Sequence, residues 1–317
     1  MIKNYWDLGS LGKTRPSRFV SASAVILYFY LWIGGLIASI PMIYVIITQP
    51  QSIFDPLFRS DVMGFLEKYV GPVSNYIFTN LSIFCMLIGA FIAIKWIHNR
   101  PFGTIFNFTG KIRWANFMIS FAVFGALLGI STVVDYIINP QTYTIYFDAS
   151  KFWLTLPLIL VMTPIQTTAE EIVFRGYVIQ SFGLKIKNGL LLSLISGFLF
   201  TLPHLANPEI YAANKMGVFS TVCMILNYFI VGFILAMITI RTNSLEAAMG
   251  AHAVNNLFSF LIVSYPDTVL PTNTVFYTST FDPSGSLIPT IITALLYYFI
   301  TSFLIRKTDK TLFPKEF

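Results

Sequence analysis

Eight stretches of the chain, 20–47, 73–97, 115–138, 152–182, 189–205, 217–240, 244–264 and 287–305, are apolar over lengths near those a bilayer imposes. A helix needs about 20 apolar residues to cross roughly 30 Å of hydrocarbon. Backbone groups at that depth find no water, so each run must satisfy its own hydrogen bonds, and a long run does so as a helix. The expected fold is therefore all-α, a single polytopic membrane domain over 1–317 with about eight transmembrane helices. Only 11% of the residues are charged and 56% are hydrophobic, against about 25% charged in soluble domains.

Orientation follows from the lysines and arginines, which concentrate in cytoplasmic loops. With both termini cytoplasmic, the inside segments hold 15 of the 20 basic residues, from Lys3, Lys13, Arg15 and Arg18 at one end to Arg306, Lys307, Lys310 and Lys315 at the other. The outside loops keep Arg59, Lys68, Lys151 and Lys215 and carry the acids Asp55, Asp61, Glu67, Asp148, Glu209, Asp267 and Asp282. The net charge of +6 is thus a topology signal, and no clustered basic face calls for nucleic acid. The partner to expect from composition is the lipid bilayer. The first apolar run is too long for a cleaved signal and has no small-residue exit, so it is expected to stay as a span. Cys85 and Cys223 both lie in apolar runs, which indicates neither a disulfide framework nor a Cys-type zinc site.

Against this background a few titratable side chains sit at depth: Glu170, Glu171 and Arg175 in the fourth run, His204 at the end of the fifth and His252 in the seventh. An ionised group in the bilayer centre costs at least ~2.5 kcal/mol, so such residues face the bundle interior and mark function by default. At ~1.5 Å per residue from the cytoplasmic helix ends, Glu170 and Asn256 lie roughly 18 Å deep, His204 roughly 22 Å and His252 roughly 12 Å. Three helices bring polar groups to a similar layer.

Helical spacing sorts them. Glu171 and Arg175 are four apart and can pair, whereas Glu170 points about 100° away and is left for chemistry. His252 and Asn256, in the stretch HAVNN, also share a face. Pro164 and Pro203 each free a backbone carbonyl near the cluster. Asn243 followed by Glu246 reads as a capping box opening the seventh span. Asp135 and Asn227 are expected to be ordinary polar residues, and His98 a solvated loop residue.

A buried carboxylate or imidazole can take a proton from water, and histidine or an asparagine NH2 can stabilise an oxyanion. The residues also carry a resemblance. EEIVFR, with Glu170, Glu171 and Arg175, is similar to the EExxxR motif of the CAAX protease and bacteriocin-processing family of intramembrane proteases, to which the eukaryotic CAAX prenyl endopeptidase belongs. FTLPH, from Phe200 to His204, resembles that family's FxxxH motif, and HAVNN, from His252 to Asn256, its HxxxN motif. The three stand in the family's order on separate runs, within a core of roughly residues 150–262.

The resemblance implies peptide-bond hydrolysis inside the membrane, acting on a membrane-associated or lipidated peptide or protein. Glu170 would activate water with help from His204, His252 and Asn256 would hold the oxyanion, and Glu171, Arg175 and Phe200 would support the site. No cofactor is required on that reading. A metal-dependent alternative would place zinc or another divalent metal on Glu170, His204 and His252, although the HExxH zincin signature is absent. Two other classes stay open: a catalytically silent immunity or scaffold membrane protein, and a proton-coupled transporter, for which inverted repeats would be expected and none is evident.

Overall fold

The computed structural model describes residues 3–308 except 267 and 269, with the backbone alone of Met63. Asp267, Lys310 and Lys315, used above for orientation, lie outside the described residues. The chain is nearly all helical, as the apolar runs require. Its main helices are α1 (Pro16–Thr48), α2 (Gly64–Ile97), α3 (Trp114–Ile138), α4 (Ala149–Phe182), α5 (Gly189–His204), α6 (Pro208–Met216), α7 (Val218–Thr242), α8 (Glu246–Leu261) and α9 (Pro283–Thr308).

Six of these, α1, α2, α3, α4, α7 and α9, are long and apolar enough to cross a membrane. Their outer faces carry side chains such as Leu31, Trp32, Ile130, Leu154 and Phe303, each more than half exposed. A contiguous apolar surface of that kind belongs against lipid. The runs expected at 189–205 and 244–264 come out differently. Helix α5 has 16 residues and meets the spanning criterion only together with α6, across a bend of 86°. Helix α8 also has 16 residues and is buried along most of its length. A helix enclosed by protein need not reach both lipid interfaces, because irregular backbone at depth is tolerated where protein covers it.

Helix α8 sits in the middle of the bundle, packed on α3, α4 and α7, while α7 also packs on α5 and α9. Small residues permit the closest approaches. A methyl group on Gly250 would lie 2.2 Å from the Phe117 carbonyl of α3, and one on Gly197 of α5 would lie 2.9 Å from the Phe233 nitrogen of α7. Helices α1 and α2 pair beside α4. A three-stranded sheet, β1 (Tyr143–Ile145), β2 (Val263–Ser264) and β3 (Phe276–Thr278), joins the loops before α4 and after α8 in the order β1-β3-β2.

The opposite ends of those helices are closed by the N-terminal segment. A 3-10 turn over Tyr5–Leu11 lies against the end of α4, with Tyr5 donating its hydroxyl to the Ile105 carbonyl at 2.5 Å. This packing corrects the expectation for His98. The residue is 3% exposed, its Nδ1 bonds the Lys13 carbonyl at 2.9 Å and its Nε2 the Tyr177 hydroxyl at 3.1 Å. Arg100, a basic residue of the loop that follows α2, is buried as well and donates to the Leu8 carbonyl at 2.8 Å.

The capping box is also corrected. Asn243 adopts φ 51° and ends α7 in the left-handed conformation, a position asparagine tolerates. Its side-chain oxygen accepts from the Tyr5 backbone nitrogen at 2.7 Å. Glu246 accepts instead from Asn107, Ser244 and the Arg113 backbone nitrogen, anchoring α8 to the loop before α3. Asp135 serves local structure, accepting from Asn139 and Tyr143, and Asn227 ties α7 to the start of α9, donating to Pro283 and Ser286.

Candidate active site

Helix α4 supplies the densest polar stripe. Thr163, Gln166, Thr167, Glu170, Glu171 and Arg175 are all buried. The threonine at 167 returns its hydroxyl to the Thr163 carbonyl at 3.1 Å, which removes one donor from the apolar interior. Immediately after the two glutamates the helix widens into a π turn over Ile172–Tyr177. Such widenings are frequent at functional sites because the inserted residue re-aims the side chains on either side.

The pair expected from i,i+4 spacing forms: Arg175 Nη1 donates to Glu171 Oε1 at 2.8 Å, with both side chains fully enclosed. A second guanidinium nitrogen reaches the Gly232 carbonyl of α7 at 3.2 Å, and the guanidinium carbon lies 4.0 Å from the centre of the Phe200 ring of α5. Arg175 therefore ties three helices together. Glu171 does more than balance this charge. The same Oε1 atom meets His252 Nδ1 of α8 at 2.7 Å, so the carboxylate orients an imidazole on a neighbouring helix.

Glu170 is turned toward Gln166 and the far nitrogen of His252. His252 Nε2 stands 3.9 Å from Glu170 Oε2, too long for a direct hydrogen bond. Gln166 Nε2 donates to Glu170 Oε1, and Asn256 Nδ2 donates to Gln166 Oε1 at 3.3 Å. His252 and Asn256 thus both face α4, as their spacing predicts.

His204 closes α5, where its Nδ1 meets the Phe200 carbonyl at 2.7 Å. A carbonyl only accepts, so Nδ1 carries the hydrogen and a neutral ring presents its lone pair at Nε2. Phe200 stands between the two imidazoles, with ring centres 4.4 Å from His204 and 5.8 Å from His252. The other face of His204 lies against Tyr228 of α7 at 4.7 Å. Among the described residues no hydrogen bond joins His204 to Glu170 directly.

Two neighbours escaped the reading of the sequence. Gln166 lies one turn before Glu170 on the same face, a spacing that could have signalled it, but its second partner is 90 positions away. Tyr228 had no local signal at all.

The donors can also be tested against a metal. Zinc holds nitrogen and oxygen ligands at about 2.0–2.2 Å, so three donors must converge on one point. Glu170 Oε2 and His252 Nε2 come as near as 3.9 Å, and the Nδ1 atoms of His252 and His204 are held by Glu171 and by the Phe200 carbonyl, which fixes each ring and leaves its Nε2 as the available donor. Among the described residues no three His, Cys, Asp or Glu side chains are placed to hold one ion. Of the three expected ligands, Glu170 and His252 are brought together, and His204 is not placed with them as a third.

Residues 150–258 match the family model described as Type II CAAX prenyl endopeptidase Rce1-like. The chain is also similar to "Uncharacterized protein YyaK" of Bacillus subtilis (strain 168), at 31% identity over 255 residues, covering 80% of this chain and 79% of that protein. No solved structure matches.

Proposed function

Because the chain belongs to the Type II CAAX prenyl endopeptidase Rce1-like family, we propose that it is an intramembrane endopeptidase that hydrolyses a peptide bond of a membrane-anchored or lipidated peptide or protein. The observation that carries this reading is the shared carboxylate of Glu171. It holds Arg175 at 2.8 Å and His252 at 2.7 Å, leaving the adjacent Glu170 turned toward the site from a fixed helix. One glutamate sustains the structure and the other is available for chemistry.

In the proposed reaction Glu170 takes a proton from water, assisted by the Nε2 lone pair of His204, as the water oxygen attacks the scissile carbonyl. The new C–O bond places a negative charge on the former carbonyl oxygen. Asn256 meets it with the N–H that is not given to Gln166, and His252 meets it through Nε2–H when its ring is protonated. Glu171 balances that imidazolium through Nδ1. Aligned donors of this kind are worth about 2.7–4 kcal/mol each in acyl transfer. The C–N bond then breaks, and the leaving nitrogen receives the proton held by Glu170.

We also read eight crossings with both termini in the cytoplasm, α5 and α8 being the two short ones. The basic residues support this orientation, because every inside segment carries them. The reaction as drawn needs no metal. The test is cleavage by the purified full chain in proteoliposomes of a fluorogenic peptide bearing an S-farnesylated CAAX end, with unmodified and bilayer-anchored peptides in parallel. Cleavage of the anchored peptides that is lost in Glu170→Gln supports the reading, and equal cleavage by that variant removes it.

A further inference from the structure

The amides beside Glu170 form a directional chain. Asn255 Nδ2 donates to Asn256 Oδ1 at 3.1 Å, Asn256 Nδ2 donates to Gln166 Oε1 at 3.3 Å, and Gln166 Nε2 donates to Glu170 Oε1. Every donor points the same way, from α8 across to α4, and the chain ends on a carboxylate. An ionised carboxylate only accepts, and an amide has distinct donor and acceptor ends. The charge on Glu170 therefore fixes the orientation of Gln166, and Gln166 in turn fixes that of Asn256. Hydrogen bonds in such a series polarise one another in a low-dielectric interior.

From this geometry we infer that Gln166 is a positioning residue of the proteolytic site, with Asn255 as the far end of the same chain. The inference rests on the proposed endopeptidase reading. Gln166 lies within none of the three motif stretches, yet its side chain hydrogen-bonds both the proposed base, Glu170, and one of the two proposed oxyanion donors, Asn256. It is 6% exposed and uses both ends of its amide.

Two consequences follow for the chemistry. Gln166 holds the Glu170 carboxylate by Oε1, which leaves Oε2, the oxygen on the His252 side at 3.9 Å, to take the proton from water. It also accepts one Asn256 hydrogen and leaves the other for the developing oxyanion. Reversing the Asn256 amide would present an oxygen where negative charge forms. Asn255 opposes that reversal by occupying Asn256 Oδ1.

The test compares Gln166→Met, which keeps length and removes both hydrogen bonds, with Gln166→Glu, which keeps length but has no N–H to donate when ionised. Asn255→Ala removes the far end. With the S-farnesylated peptide in proteoliposomes, kcat should fall about 10- to 100-fold in Gln166→Met, the range expected for a hydrogen bond to a charged group. KM should stay within about twofold, because the interaction serves the reacting atoms and not ground-state binding. Gln166→Glu should lose at least as much, and Asn255→Ala less than either.

A second readout does not need turnover. The Glu170 carboxylate band, assigned in the infrared spectrum by its disappearance in Glu170→Gln, should shift in Gln166→Met at unchanged helix content. An unshifted band with wild-type kcat in Gln166→Met would overturn the inference. Wild-type turnover in Glu170→Gln would instead remove the proteolytic reading, and the band alone then decides the amide chain.

Discussion

Glu171 and His252 stand on different helices and meet at 2.7 Å, through the same carboxylate oxygen that holds Arg175. One fully buried oxygen thereby serves an ion pair within α4 and a contact from α4 to α8. Removing either member of the ion pair leaves the other without its opposite charge at a fully buried position.

Glu171→Leu and Arg175→Leu should each lower stability strongly, by about 3–5 kcal/mol for a buried pair broken on one side. The double variant should lose less than the sum of the two. Thermal unfolding of the purified protein in detergent provides the comparison, and additive losses would mean that the pair is not coupled.

Phe200 touches Arg175, His204 and His252 at once. Phe200→Ala should cost about 3–5 kcal/mol and should also slow turnover, because both imidazoles lose a wall. Phe200→Tyr keeps the ring and should retain most stability. The two melting curves measured side by side check this.

His98 provides a pH dependence outside the spans. Burial holds its pKa below the ordinary histidine range, with Arg100 and Arg18 adding in the same direction. The unfolded chain then takes up the proton first, so the stability from His98 is present above about pH 6.5 and is lost as pH falls below it. Melting temperature should drop between pH 7.5 and 5, and the drop should be smaller in His98→Gln. An equal drop in both proteins would remove His98 as the cause.

The orientation can be checked with thiol reagents. Cys85 and Cys223 are both buried, so background labelling should be low. Cysteines placed at the exposed positions Lys111 and Lys151 should react from opposite faces of sealed vesicles, Lys111→Cys from the cytoplasmic face. Reaction of both from one face would contradict the eight-crossing reading.

The parts of this fold that were legible in the sequence are those governed by lipid or by local spacing. Apolar runs marked α1, α2, α3, α4, α7 and α9 because hydrocarbon tolerates little else, and the Glu171–Arg175 pair followed from four residues along one helix. The enclosure of the short α8 was not legible, since an apolar helix covered by protein reads like one facing lipid. His98 looked like a loop residue because its cover comes from Lys13, 85 positions away. Gln166 went unnoticed for the same reason: its meaning depends on Asn256, which only the packing of α8 on α4 brings to it. Asn243 and Glu246 had the right spacing for a cap but were claimed by Tyr5 and Asn107.

Metal removal separates the glutamate mechanism from its alternative. Because the donors do not converge on one point, cleavage should be unaffected by prior treatment with a chelator and by its reversal with zinc. Loss of activity on chelation, restored by added metal, would require the site to rearrange around an ion.

The most direct measurement is the rate at which the purified full chain cleaves a lipid-anchored peptide, compared with Glu170→Gln at matched folding. Loss of a general base should lower the rate roughly 10²- to 10⁴-fold, with the melting temperature little changed and the product identified by mass as a single internal cut. Cleavage by Glu170→Gln at the wild-type rate, in a folded protein, would contradict the account.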